Sequence, residues 1–101
     1  KTSQPEGRLM YEGEGGEDDY FLRYDRFTIG TNIKNNAVLH SKAVSRFHGV
    51  IERDEAGDYY IEDLNSTNGT FVNGTPLSYR GRQKLSRMDE IMFADVCYRI
   101  V

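Results

Sequence analysis

The sequence predicts an all-β sandwich, and three observations carry the prediction. Short runs rich in β-branched and aromatic residues, with apolar and polar positions alternating, recur about every 8–12 residues between Gly, Asn and Asp punctuation. No window of about eleven residues keeps the 3.6-residue period of a helix. Seven tyrosines and five phenylalanines, with no tryptophan, supply large apolar areas for one core, and 101 residues suffice for one compact domain but not two.

The elements follow in order. A polar start, residues 1–7, reads as a linker or boundary segment and leaves a domain over residues 8–101; the chain opens on Lys1, so a module cut from a larger protein is expected. The first run is Arg8–Glu12. After it, Glu12-Gly-Glu-Gly-Gly-Glu-Asp-Asp19 is too acidic and Gly-rich for a strand and reads as a mobile hairpin loop leading to Asp19–Tyr24. Arg26–Ile29 and Ala37–Leu39 come next. Gly49–Asp54 and Tyr59–Asp63 flank Glu55-Ala-Gly57, a hairpin turn. Thr70–Val72 and Thr75–Leu77 flank Asn73-Gly74, residues that supply the two positive-φ positions of a type I′ turn. Glu90–Ala94 and Val96–Val101 complete ten candidate strands, and alternation in the last puts Cys97 opposite Val96 and Tyr98.

With 13 basic and 16 acidic residues, the net charge is −3. That balance argues against nucleic acid and anionic membranes as partners. The distribution says more. Residues 26–51 hold Arg26, Lys34, Lys42 and Arg46 with no acid, and residues 64–88 hold Arg80, Arg82, Lys84 and Arg87 with no acid. A local positive field on an acidic body favours a small anion over an extended polyanion. The single cysteine, Cys97, excludes an internal disulfide, leaves too few thiolates for zinc, and suits a reducing, cytoplasmic setting. No run approaches a membrane span, and no cofactor or metal is implied.

Two polar patches stand between candidate strands: Ser45-Arg46-Phe47-His48 and Ser66-Thr67-Asn68-Gly69-Thr70. Hydroxyls, a guanidinium and backbone N–H groups in tight turns are donors that a dianionic phosphate ester can use together. Ser45, His48 and Asp63 or Asp89 make a nominal triad, but no nucleophile elbow is present, and side chains three apart in a strand-leading segment point to opposite faces. Binding, not catalysis, is the expectation.

Phe27-Thr-Ile-Gly30, Asn36-Ala-Val-Leu39, Val44-Ser-Arg-Phe-His-Gly49, Tyr60-Ile-Glu-Asp-Leu-Asn-Ser-Thr-Asn-Gly-Thr-Phe-Val-Asn-Gly74 and Leu85-Ser-Arg-Met-Asp-Glu-Ile-Met-Phe93 together resemble a forkhead-associated (FHA) domain, in order and spacing, over nearly the whole chain. The resemblance implies an eleven-stranded β-sandwich of the SMAD/FHA kind, of a sort found in bacterial signalling proteins, that binds phosphothreonine peptides on loops at one end. Carried over residue by residue, it implies that Ser45, Arg46 and Thr67 contact the phosphate and that Asn68 bonds the peptide backbone. Gly30, His48, Ser66, Gly69, Asn73 and Gly74 are implied to be structural, with His48 bracing the recognition loop. A monomeric module whose partner is a threonine-phosphorylated protein is the expectation.

Two positions depart from the family pattern. Where an Arg usually follows the Ile-Gly pair, this chain has Thr31, and Lys34, Ser41 or Lys42 are candidates to compensate from neighbouring positions. The alternative is a phospho-independent interaction or self-association domain whose phosphate site is degenerate at Thr31. Met88-Asp89 stands where Gly-Asp is usual, which implies a different turn before the penultimate strand.

Overall fold

The computed structural model describes residues 6–101, so the first five residues of the expected linker lie outside the described residues. Gly7 is buried, and its N–H donates to Tyr59 Oη at 2.9 Å. Eleven strands form two sheets and no helix is present among the described residues, hence none long and apolar enough to cross a membrane. One sheet contains β1 (Arg8–Tyr11), β2 (Tyr20–Phe21), β7 (Thr70–Val72), β8 (Thr75–Pro76), β10 (Glu90–Phe93) and β11 (Val96–Ile100), in the order β2-β1-β11-β10-β7-β8. The other contains β3 (Arg26–Gly30), β4 (Ala37–Val38), β5 (Gly49–Arg53), β6 (Tyr59–Asp63) and β9 (Arg82–Lys84), in the order β4-β3-β5-β6-β9. Pairings are antiparallel except β3 with β4.

Alternation explains the layering. In β11, Val96, Tyr98 and Ile100 are buried while Cys97 and Arg99 are half-buried on the other face. Opposite them, β3, β5 and β6 send Phe27, Ile29, Ile51 and Ile61 into the same core, with Ile51 paired to Ile61 across the hairpin. Full burial of each such side chain is worth about 1.5–3 kcal/mol. Phe93 packs edge-on to both Tyr98 and His48, which joins the core to the loop end. Tyr98 is fully buried, and its hydroxyl donates to the Asp18 carbonyl at 2.7 Å. Desolvation pushes its pKa far above the usual phenol range.

Two expectations are corrected. The segment Arg82-Gln-Lys84 is a strand that the alternation pattern did not reveal: all three residues are exposed, and the strand exists only by pairing with the β6 edge at Tyr60–Glu62. The acidic loop between β1 and β2 is tied down. Asp19 Oδ1 accepts from Tyr11 N, Tyr11 Oη accepts from Gly15 N, and Glu17 takes the N–H and Nδ1 of His40 at 2.8 and 2.9 Å. In the turn before β10, Met88 takes the left-handed conformation suited to glycine, φ 74°. Asn73 and Gly74, at φ 50° and 82°, both have the positive φ that a type I′ hairpin requires.

Candidate functional site

β3 and β6 run toward the same end of the sandwich, where the β3–β4, β4–β5 and β6–β7 loops meet. Backbone bonds hold these loops together. Thr31 N donates to Ser45 O at 3.1 Å, Asn32 N to Arg46 O at 3.1 Å, and Leu64 N to His48 O at 2.9 Å. A Cβ at Gly30 would collide with the Arg46 carbonyl oxygen, so close approach of β3 to the β4–β5 loop requires glycine there. Asn35, buried, donates from Nδ2 to both Asn32 O and Arg46 O at 2.8 and 2.7 Å, while its Oδ1 has no partner among the described residues.

Ser45 and Thr67 come from different loops and touch. Ser45 Oγ accepts from Thr67 N at 3.0 Å, which leaves the hydroxyl proton available to donate. Thr67 and Arg46 are exposed beside it. Asn68 is exposed too and donates one Nδ2 hydrogen to Ala43 O at 2.8 Å, tying the β6–β7 loop to the β4–β5 loop. The arrangement can offer hydroxyls, a guanidinium and an amide to one ligand without a cofactor.

His48 lies beneath, fully buried. Its Nδ1 faces Ser45 N at 3.0 Å and its Nε2 faces Gly69 O at 2.8 Å. An amide N–H donating to Nδ1 and a carbonyl accepting from Nε2 define the neutral Nε2–H tautomer. Burial lowers the pKa, with the Gly69 bond and Asp63 opposing it. Asp63 Oδ1 is 4.0 Å from Nε2, but that nitrogen already donates its hydrogen to Gly69, so the contact is no salt bridge. His48 does not bond Ser45 Oγ and therefore does not activate it as a nucleophile.

Asp63, at the end of β6, organises the second patch. Its Oδ1 accepts from Ser66 Oγ and Thr70 Oγ1, each at 2.6 Å, and its Oδ2 accepts from Ser66 N at 2.9 Å. Burial raises its pKa, but the hydrogen bonds from Ser66 and Thr70 outweigh that and hold the carboxyl below its ordinary value. Ser66 Oγ in turn accepts from Gly69 N at 2.9 Å, and Gly69 turns at φ 90°. Asp63, Asn35 and the Ala43 carbonyl are supports that the motif reading did not assign; the Asp-x-x-Ser spacing of 63 and 66 is the signal for the first.

The other candidates are spread around this centre. Lys34 and Lys42 are exposed on the β3–β4 and β4–β5 loops. Ser41 directs its hydroxyl to Asp95 Oδ1 at 2.6 Å in the β10–β11 turn. Asn73 and Gly74 sit in the β7–β8 turn at the far end, where Asn73 bonds Asp89 and Glu90. One grouping with metal-ligand proximity, Glu12, Glu90 and Cys97, already faces the Arg99 guanidinium, whose Nε is 2.9 Å from Glu12. Burial and Glu90 push the Cys97 thiol up, away from the thiolate that a metal would need.

Sandwich, loop order and motif placement together define an FHA-type module. The FHA domain family model matches residues 27–94, and the chain belongs to that family. It is similar to the E3 ubiquitin-protein ligase DMA2 of Saccharomyces cerevisiae, 49% identical over 41 residues, covering 41% of this chain and 8% of that protein. Protein FraH of Nostoc is 44% identical over 63 residues, covering 62% of this chain and 22% of that protein. The chain thus spans a small part of these relatives. Among solved structures, Mycobacterium tuberculosis EmbR in complex with a low-affinity phosphopeptide superposes at a TM-score of 0.85 with 32% identity, over 96% of this chain and 24% of that one.

Proposed function

We propose that this chain is a phosphothreonine-dependent peptide-binding module in which Ser45, Arg46 and Thr67 hold the phosphate and Asn68 holds the peptide backbone. The observation that carries the reading is where uncommitted charge lies. Among the described residues, only Lys34, Lys42, Arg46 and Arg87 neither pair with an acid nor lie over an aromatic ring. Three of these four flank Ser45. The phosphopeptide bound to the EmbR neighbour supports the same use of this fold. No chemistry is assigned to Ser45 or His48; the module works by binding a threonine-phosphorylated protein, as a monomer, in a cytoplasmic setting that keeps Cys97 reduced.

Thr31 favours a second reading, a phospho-independent interaction or self-association surface. Its backbone contact with Ser45 O sets residue 31 against the phosphate loop, yet threonine brings no charge. One hydrogen bond to a charged group is worth about 1.5–3 kcal/mol, so its loss weakens binding about 10- to 150-fold. Titration against degenerate phosphothreonine, phosphoserine and unphosphorylated peptide pools decides between the readings, with Ser45→Ala and Arg46→Ala proteins in parallel. Binding confined to phosphothreonine and lost in both variants is the expected result. No binding to any phosphorylated pool at millimolar concentration overturns it, and partner capture that survives phosphatase treatment then belongs to the second reading.

A further inference from the structure

The cations at the recognition end exceed the charge of one phosphate. A phosphothreonine carries about −1.5 to −2 at pH 7, and Lys34, Lys42 and Arg46 are three charges without acidic partners among the described residues. Two of them balance the dianion. The third is surplus, and the folding of the two loops distinguishes which one. Lys42 stands between Ser41, bonded to Asp95 Oδ1, and Ala43, bonded to Asn68. On this flank carboxylates are already at hand: Asp95 itself, and Glu17 clamped by His40 next to Ser41. A second ligand anion there would meet like charge.

Lys34 stands in the β3–β4 loop, residues 31–36, which contains no acid and bonds none among the described residues. Its backbone is pinned. Lys34 N donates to Asn32 Oδ1 at 2.8 Å, and both Asn32 N and Asn35 Nδ2 bond the Arg46 carbonyl at 3.1 and 2.7 Å. The lysine stem therefore rises from a turn fixed directly to the backbone of Arg46, next to the phosphate position. We infer that Lys34 is a specificity-determining residue: the partner segment carries an anionic side chain beside its phosphothreonine, on the side lying over the β3–β4 loop. This rests on the phosphothreonine reading above.

The test uses phosphothreonine peptides with alanine flanks and counterparts in which aspartate, phosphoserine or lysine replaces the alanine at each flanking position in turn. Affinity is read as a ratio to the alanine peptide, by calorimetry or fluorescence anisotropy, for the wild-type chain and for Lys34→Ala and Lys34→Glu. An exposed ion pair predicts a preference of about two- to fivefold for an anion, on one side of the phosphothreonine only. Lys34→Ala brings the ratio to one, and Lys34→Glu inverts it in favour of lysine. Aspartate and phosphoserine differ in size and charge, so their relative ratios show whether a carboxylate or a second phosphate is the natural anion. Alanine-flanked peptide binding with no anion preference, or a preference unchanged in both Lys34 variants, overturns the inference while leaving the phosphothreonine reading intact. Absence of binding to every phosphopeptide, aspartate- and phosphoserine-flanked ones included, overturns both.

Discussion

At the scale of single residues, the loop end that carries Ser45 and Thr67 is set by contacts that a side chain makes with another loop's backbone. Gly30 is one such position: a methyl group there meets the Arg46 carbonyl, with Asn35 Nδ2 close behind. Overpacking of this kind costs about 1–3 kcal/mol. Gly30→Ala is expected to lower the thermal midpoint by several degrees and to weaken phosphopeptide binding beyond what stability alone explains, because the carbonyl it displaces is that of Arg46. Unchanged affinity in the variant at a temperature where it is fully folded would contradict this. Thr31 is the converse case, a position where function can be gained. Thr31→Arg places a guanidinium on the backbone that already bonds Ser45 O, and the hydrogen-bond arithmetic predicts about 10- to 150-fold tighter phosphothreonine binding. Equal affinities for the two proteins, measured against the same peptide, would show that residue 31 does not face the phosphate.

At the scale of elements, the turn before β10 offers the sharpest check. Met88 donates from N to Ile100 O and accepts from Arg99 Nη1 at its own carbonyl, both at 2.7 Å, and these bonds hold it at φ 74°. The left-handed conformation costs an L-residue about 1–2 kcal/mol, part of which glycine returns through its freer unfolded state. Met88 is about half exposed, so little burial is lost. Met88→Gly is therefore expected to stabilise the domain by about 0.5–1 kcal/mol in urea unfolding; a loss of stability would refute the strain argument. Strands with two faces of different polarity, such as β10 and β11, were legible in the sequence because alternation records which side meets the core. β9 was not, since Arg82-Gln-Lys84 has no apolar residue and owes its conformation to the β6 edge, while its charges suit an exposed edge strand. The same divide runs through the site. The loops bearing Ser45, His48, Ser66 and Gly69 were legible as local motifs, whereas the anchoring of residues 12–19 by Tyr98 and His40, and of Arg46 by Asn35, depends on chain segments brought together only by folding.

At the scale of the whole molecule, a buried polar seam joins the two sheets below the recognition loops, and it fixes how stability responds to pH. His48 is neutral in the fold, its pKa lowered chiefly by burial. In the unfolded chain it has the ordinary value of about 6.5. As pH falls through that value, the unfolded state takes up a proton that the folded state refuses, so stability is full above about pH 6.5 and declines below it until the folded pKa is reached. Asp63 acts in a lower window. Its folded pKa lies below the ordinary value of about 3.9, so its contribution is present above that pH and is lost as pH falls through the folded pKa. Acid unfolding is thus expected in two stages, the first beginning near pH 6.5, where exposed carboxylates are still ionised. Urea titrations at intervals from pH 8 to pH 3 measure it, and ring nitrogen chemical shifts of His48 report its state directly, as the neutral Nε2–H tautomer persisting below pH 6.5. Protonation of His48 turns Nδ1 from an acceptor into a donor facing Ser45 N–H, so the loop that carries Ser45 and Arg46 loosens in step with the loss of stability. A stability profile flat between pH 7 and pH 5, or a His48 ring titrating at the ordinary value, would remove both the first stage and this coupling to the recognition loop.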